Sequence, residues 1–281
     1  MKPIAQQTIL ITGSSDGLGK QTALALAGQG ATVLLHGRDR QRLEASQQKI
    51  LEETGNVHVE TYLADFADLS EVRKLAQTLQ AQHPGLDMLI NNAGIGAGKR
   101  GQARREISRD GYELRFAVNY LAPFLLTRLL VPSLRRTPPS RIINVASVGQ
   151  SPLDFSDMML ERRYDPMQAY SQSKLALIMF TFDLAEALKG EQITVNCLHP
   201  ASLMNTRMVY ESLGYALSTV EEGRDAVMHL ATSPALDNFT GIYFDQRLPA
   251  RPHSQAYDLA ARHRLRQLSE QLTGLYSKQE D

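Results

Sequence analysis

Tyr170 and Lys174 lie four residues apart in the run Tyr170-Ser171-Gln172-Ser173-Lys174, inside a stretch whose apolar spacing predicts a helix over 168–189. Side chains at that spacing share a helix face. A free phenol titrates near pH ~10, too high for ready proton exchange at neutrality. A neighbouring ammonium, together with a positively charged bound group, favours the phenolate and is expected to lower that value. Such a pair suits general acid–base chemistry at a carbonyl or alcohol oxygen. Ser147 directly follows the apolar run 142–146, where a strand is predicted to end, so its hydroxyl can stabilise charge developing on a reacting oxygen.

A second group could hold a nucleotide. Thr12-Gly13-Ser14-Ser15-Asp16-Gly17-Leu18-Gly19 separates a predicted strand from a predicted helix. Glycines at 13, 17 and 19 permit a tight turn, close approach of backbone to a pyrophosphate, and helix-on-sheet packing. The helix start offers unpaired N–H groups to phosphate. We therefore read Gly13, Ser14, Ser15, Asp16, Gly17, Leu18 and Gly19 as cofactor-binding. The second predicted strand runs into Leu35-His36-Gly37-Arg38. A carboxylate here would suit a free ribose 2′-hydroxyl, whereas the guanidinium of Arg38 suits a 2′-phosphate. The expected cofactor is NADP(H), ahead of NAD(H); the plainer reading leaves Arg38 facing solvent with Asp39 opposing it.

Taken in order, Thr12–Gly19, Asn91-Asn92-Ala93-Gly94, Asn119, Ser147 and Tyr170-Ser171-Gln172-Ser173-Lys174 resemble the short-chain dehydrogenase/reductase family over nearly the whole chain. Leu153-Asp154-Phe155, Tyr164-Asp165-Pro166, Gly241-Ile242-Tyr243-Phe244 and the tail 256–274 resemble its retinol dehydrogenase and protochlorophyllide reductase-like branch. The resemblance implies a catalytic set of Asn119, Ser147, Tyr170 and Lys174. Ser147 and Tyr170 would meet the substrate, Asn119 would serve a proton relay behind Lys174, and Lys174 would also hold the nicotinamide ribose. It further implies that Asp65 and the Phe66 backbone meet the adenine, that Asn92, Ala93 and Gly94 line the ribose, and that Pro200, Ala201 and Thr206 lie near the nicotinamide. Ala201 stands where the family usually has glycine, and Thr206 comes one residue late, with Ser202 or Asn205 as substitutes.

These residues need a scaffold, and the hydrophobic pattern supplies one. Short apolar runs at 8–12, 31–35, 57–63, 88–91, 141–146, 194–198 and 241–244 read as strands, several apolar on consecutive positions as in parallel strands covered on both faces. Helical stretches are predicted at 18–29, 40–53, 69–82, 111–135, 168–189 and 220–231. The alternation predicts an α/β doubly wound parallel sheet, a Rossmann fold, as one domain over 1–281 with a C-terminal helical extension. Three long connections, 95–109, 148–165 and 201–219, leave strand ends where substrate crevices form. The basic residues Lys99, Arg100, Arg104, Arg105 and Arg109 of the first read as a solvated loop. Met158, Met159, Met204 and Met208 in the others read first as packing, and their place in expected substrate loops also allows an adaptable apolar pocket.

Composition narrows the classes. The 281 residues carry 30 basic and 30 acidic side chains, a net charge of zero that argues against nucleic acid as a partner. Cys197 is the single cysteine, which excludes an internal disulfide and a cysteine-rich zinc module, and His36, His83 and His199 lack metal-ligand spacing. No uninterrupted apolar run approaches the ~18 residues of a membrane span, and Pro3 ahead of Ile9-Leu10-Ile11 leaves no room for a signal peptide, so a cytoplasmic protein is expected. The expected function is NADP(H)-dependent interconversion of a carbonyl and an alcohol on a hydrophobic small molecule. The alternatives are a cofactor-binding regulatory or sensor protein of the same fold and a light-dependent pigment reductase. The helices at 111–135 and 168–189 resemble the family's pairing surface, which allows a homodimer.

Overall fold

Consecutive buried apolar residues build the centre of the molecule. In the computed structural model, which describes residues 1–98 and 104–275, the runs Thr8–Ile11 (β1), Thr32–Gly37 (β2), Val59–Leu63 (β3), Met88–Asn91 (β4), Ser140–Val145 (β5), Ile193–His199 (β6) and Tyr243–Asp245 (β7) pair in parallel. Leu248–Ala250 (β8) adds an antiparallel edge, and the strand order is β3-β2-β1-β4-β5-β6-β7-β8. The order reverses between β1 and β4, which places the crevice beyond their carboxyl ends. Registers such as Ile11↔Leu35 and Ile11↔Ile90 hold those ends level, so loops from neighbouring strands emerge side by side.

Because side chains alternate across a strand, the sheet feeds two cores. Leu10, Leu34, Leu89, Ile142 and Cys197 face one layer; Ile9, Ile11, Val33, Ile90, Ile143 and Leu198 face the other. The second layer contains Gly17–Ala27 (α1), Arg40–Thr54 (α2) and, further along the chain, Val220–Thr232. The first contains Leu69–Gln82 (α3), the run Leu114–Leu134 and, later, Pro166–Ala187. Carboxylates start most of these helices: Asp16, Asp39 and Asp68 each accept a backbone N–H at the first turn, and Asp165 does so for 166–187.

The run expected at 111–135 starts instead at Leu114, because the Glu113 carboxylate caps it by accepting the Phe116 N–H. It consists of Leu114–Phe116 (α4), a π-helical turn over Ala117–Leu121, and Ala122–Leu134 (α5). By length and hydropathy this run could cross a membrane, but 83% of its apolar window is buried inside the protein. Arg115, Asn119 and Arg128 interrupt it, so it is not one of the uninterrupted apolar runs weighed from the sequence.

Pro166–Ala187 (α6) follows, as expected. The connection 201–219 is not bare loop: it contains Arg207–Leu213 (α7), capped by Thr206, and leads to Val220–Thr232 (α8). The C-terminal extension is helical over Leu259–Thr273 (α9). It lies against the helices that resembled a pairing surface: Ser269 bonds the buried Tyr120 hydroxyl at 2.6 Å, Arg128 pairs with Glu270 and Arg266 with Asp183.

Candidate active site

The glycine loop leaves β1 and turns into α1. Gly13 and Gly17 have φ of +67° and +52°, values open to glycine without strain. At Gly19 the fit is tighter still: a Cβ would stand 2.3 Å from the Gly13 carbonyl oxygen and 2.4 Å from the Asn92 amide. Asp16 takes the Gly17 N–H, while the Leu18 and Gly19 amides, in the first turn of α1, find no acceptor among the described residues. These two N–H groups are free for an anion at the positive end of the helix dipole.

Several predicted contacts turn out to hold the loop itself. The Ser14 hydroxyl is buried between Ile11 and His36, donating to the Ile11 carbonyl and accepting the His36 N–H at 2.9 Å. Its own backbone oxygen accepts the Ser46 hydroxyl. Asn92 donates its side-chain amide to the carbonyls of Thr12 and Gly13. Thr12 accepts the N–H groups of both Asn92 and Ala93 at 3.0 Å, locking β4 to the end of β1. Ser15 packs against Gly37, where an added Cβ would lie 3.2 Å from it.

His36 is a residue that the sequence reading left without a role. It is buried at the end of β2, its Nδ1 accepts the Gly13 N–H at 3.2 Å, and its Nε2 donates to the Ala64 carbonyl at 3.1 Å. Its ring stacks on Phe66 with centroids 4.3 Å apart. Burial lowers its pKa to about 4, so the ring is neutral at pH 7, as this acceptor role demands. Two residues on, Arg38 is exposed and makes no ion pair among the described residues, because Asp39 caps α2 and pairs with Arg42 instead. Asp65 is half-buried, with one carboxylate oxygen accepting the Ala67 N–H.

The acid–base residues converge from three elements. Ser147 sits two residues past β5, buried, its hydroxyl accepting the Gly149 N–H at 3.0 Å. That leaves its proton free to donate. Tyr170 and Lys174 lie on one face of α6, and the Lys174 ammonium donates to the Val145 carbonyl at 2.9 Å. Asn119, in the π-helical turn, accepts the Ile95 N–H at 2.8 Å and donates to the Ile95 carbonyl and the Ser173 hydroxyl. A Cβ on Gly94 would lie 3.2 Å from the Asn119 oxygen and 3.5 Å from the Lys174 nitrogen, so Gly94 separates these two groups. The extra residue of a π turn, a frequent feature of functional sites, is what presents Asn119 to this loop.

The expected lowering of the Tyr170 pKa involves the positive charge of an oxidised nicotinamide as well as Lys174. In the chain by itself, burial raises the Tyr170 pKa, opposed by the Ser147 hydroxyl facing it. Lys174 stands 5.9 Å from the Tyr170 ring centroid and is itself lowered to about 8 by burial. The residues of this chain therefore keep Tyr170 a neutral proton donor. At the end of β6, burial lowers the His199 pKa, with Asp245 opposing the shift and Lys174 adding to it, and the ring bonds the Ser202 hydroxyl at 3.0 Å. Pro200 and Ala201 are buried beside it. Thr206 caps α7, with its methyl 3.4 Å from where a Gly17 Cβ would be, so it does reach the glycine loop.

With this geometry in place, the family comparison is decisive. A sequence model of the family described as short chain dehydrogenase matches residues 7–213. The chain belongs to the short-chain dehydrogenase family. Within that family it is 34% identical to human retinol dehydrogenase 13 over 97% of this chain and 86% of that protein. A crystal structure of a protein from Mycobacterium paratuberculosis superposes with a TM-score of 0.79 at 32% identity, covering 96% of this chain and 94% of that one. A short chain dehydrogenase from Shigella flexneri complexed with NADP gives a TM-score of 0.69 at 26% identity, over 86% and 97% of the two chains. As a short-chain dehydrogenase of the retinol dehydrogenase-like branch, this chain is a nucleotide-binding oxidoreductase.

In this dehydrogenase the three long connections are the expected walls of the substrate side. Of the basic loop, Lys99 and Arg100 lie outside the described residues. Arg105 donates to the Met159 carbonyl and Arg109 pairs with Asp68 and Glu71, so these two cations hold structure, while Arg104 is exposed. Met158 is buried in the core, Met204 packs on Gly223, and Met208 packs on Gly96. The sequence reading also missed Arg115, a buried guanidinium at the start of the π-turn helix. No periodic signal marks it; only its place four residues before Asn119 could have drawn attention.

Proposed function

We propose that the protein interconverts a carbonyl and an alcohol on a hydrophobic small molecule, using NADP(H). The observation that carries this reading is the convergence of Ser147, Tyr170, Lys174 and Asn119 beyond the carboxyl ends of β4 and β5. A nicotinamide dinucleotide fits the residues present: two amides at the start of α1 without an acceptor among the described residues, Gly13 and Gly19 where an added Cβ would clash, and an exposed arginine at the end of β2. When bound, such a group supplies or accepts the hydride.

The residues of the chain do the rest. Tyr170 donates its phenolic proton to the substrate oxygen in reduction and takes it back in oxidation. Ser147, with its lone pair already engaged by Gly149, donates its own proton to that oxygen and stabilises the charge that develops there. Lys174 keeps two ammonium protons beyond the one given to Val145, enough to hold ribose hydroxyls and to favour proton loss from Tyr170. Asn119 fixes the backbone of Ile95 beside them. Large apolar side chains exposed on the loops leaving β5 and β6, Val148, Met208, Tyr210, Tyr215 and Leu217, support an apolar substrate. The exposed Arg38, without an ion pair among the described residues, supports NADP(H) over NAD(H).

The test is a panel of hydrophobic ketones, aldehydes and alcohols read by NADPH absorbance, with NADH in parallel. Turnover in the wild type and its loss in Tyr170→Phe are expected. A Tyr170→Phe protein with undiminished turnover would overturn the acid–base assignment. Cofactor binding with no turnover on any substrate would favour the sensor reading.

A further inference from the structure

We propose that Arg115, with Glu113 and Tyr164, is a positioning device that straps the cofactor-side loop after β4 to the substrate-side loop before α6. The proposal rests on the oxidoreductase reading above and extends it to residues outside the acid–base set. Arg115 is 3% exposed and Glu113 1%, and the two pair at 3.5 Å, away from water, while the exposed Glu106 carboxylate lies 3.5 Å from the other end of the guanidinium. The guanidinium donates from Nε to the Gly96 carbonyl at 3.2 Å and from Nη2 to the Ala97 carbonyl at 3.1 Å. Its Nη1 donates to the Tyr164 hydroxyl at 2.8 Å, and that hydroxyl donates in turn to Glu113 Oε1 at 3.2 Å. The other Glu113 oxygen accepts the Phe116 N–H at 2.8 Å and so starts the helix.

Spacing gives this cluster its meaning. Asn119 lies one helical turn beyond Arg115 and grips Ile95 by both backbone groups. Between them the two side chains hold three consecutive residues, Ile95, Gly96 and Ala97, against one helix edge. On the far side, Tyr164 precedes α6 and stands six residues before Tyr170. The strap thus joins the loop gripped by Asn119 to the segment that launches Tyr170. A buried ion pair is no better for stability than apolar residues of the same volume. Apolar residues could not fix two carbonyls and a hydroxyl at defined points, and a planar guanidinium fork can.

Two variants separate positioning from mere stability. Tyr164→Phe removes one hydroxyl and leaves the ion pair intact. The double variant Arg115→Met with Glu113→Gln removes the fork without leaving a buried charge unpaired. On a carbonyl that the wild type turns over, Tyr164→Phe is expected to raise KM for the carbonyl by about three- to tenfold, the equivalent of one hydrogen bond, with KM for NADPH unchanged. The double variant is expected to lower kcat on the order of a hundredfold, since misplacement of about 1 Å costs that much. Arg115→Lys, which keeps the charge without the fork, should not rescue it. Hydrogen exchange in Tyr164→Phe should quicken at 95–98 and 153–165 and nowhere else. An unchanged carbonyl KM in Tyr164→Phe, or equal losses for carbonyl and cofactor, would overturn the proposal. So would exchange that rises uniformly, and this readout decides the strap even if the wild type reduces no carbonyl and the oxidoreductase reading itself fails.

Discussion

The Gly13 amide donates to the Nδ1 of His36, and this bond makes a neutral imidazole part of the nucleotide loop. A protonated ring could not accept it, so loop geometry and His36 ionisation are linked. The folded pKa, about 4, lies below the ordinary 6.5, so the unfolded chain binds more protons between these values. Stability is therefore full above pH ~6.5 and declines as pH falls toward 4, by about 3 kcal/mol over the whole window. Thermal melts at pH 7 and pH 4.5 should show a larger drop for the wild type than for His36→Gln. An equal drop would remove His36 from the account.

Gly19 leaves no room for a methyl group. Gly19→Ala must push the Gly13 carbonyl or the Asn92 amide aside, at about 1–3 kcal/mol. NADPH affinity measured by calorimetry should fall together with the melting temperature. Gly28→Ala, where a new Cβ meets nothing nearer than 3.4 Å, serves as the control and should change neither by much.

Lys174 is expected to set the alkaline edge of activity. Its folded pKa of about 8 is depressed from 10.5 by burial. The folded state gives up this proton first, so stability rises with pH between these values, while the charge available to Tyr170 and to ribose hydroxyls is lost. In carbonyl reduction, kcat/KM is expected to fall as pH rises through about 8. Lys174→Arg, whose charge persists, should be slower but lack this limb in its pH profile.

Arg38 is exposed and has no acidic partner among the described residues. Arg38→Ala should weaken NADPH binding by about 1.5–3 kcal/mol, the value of a hydrogen bond to a charged group, and barely affect NADH. Titration of both cofactors against both proteins checks this, and equal losses would contradict a 2′-phosphate contact.

The amino-acid sequence by itself determined the parallel sheet, the glycine loop at its switch point, and the Tyr170–Lys174 pair. Each is a short-range pattern: consecutive apolar residues fit a strand covered on both faces, and a four-residue spacing shares a helix face. It did not reveal that Ser14 and Asn92 spend their side chains holding the loop, because that depends on which strands lie side by side. The tertiary structure alone decided the His36–Gly13 bond and the Arg115–Glu113–Tyr164 strap, whose partners are up to 51 residues apart. It also decided the direction of the Tyr170 shift. Spacing brings an ammonium near a phenol, but in the chain by itself burial, which no local pattern encodes, is the largest influence and raises the value.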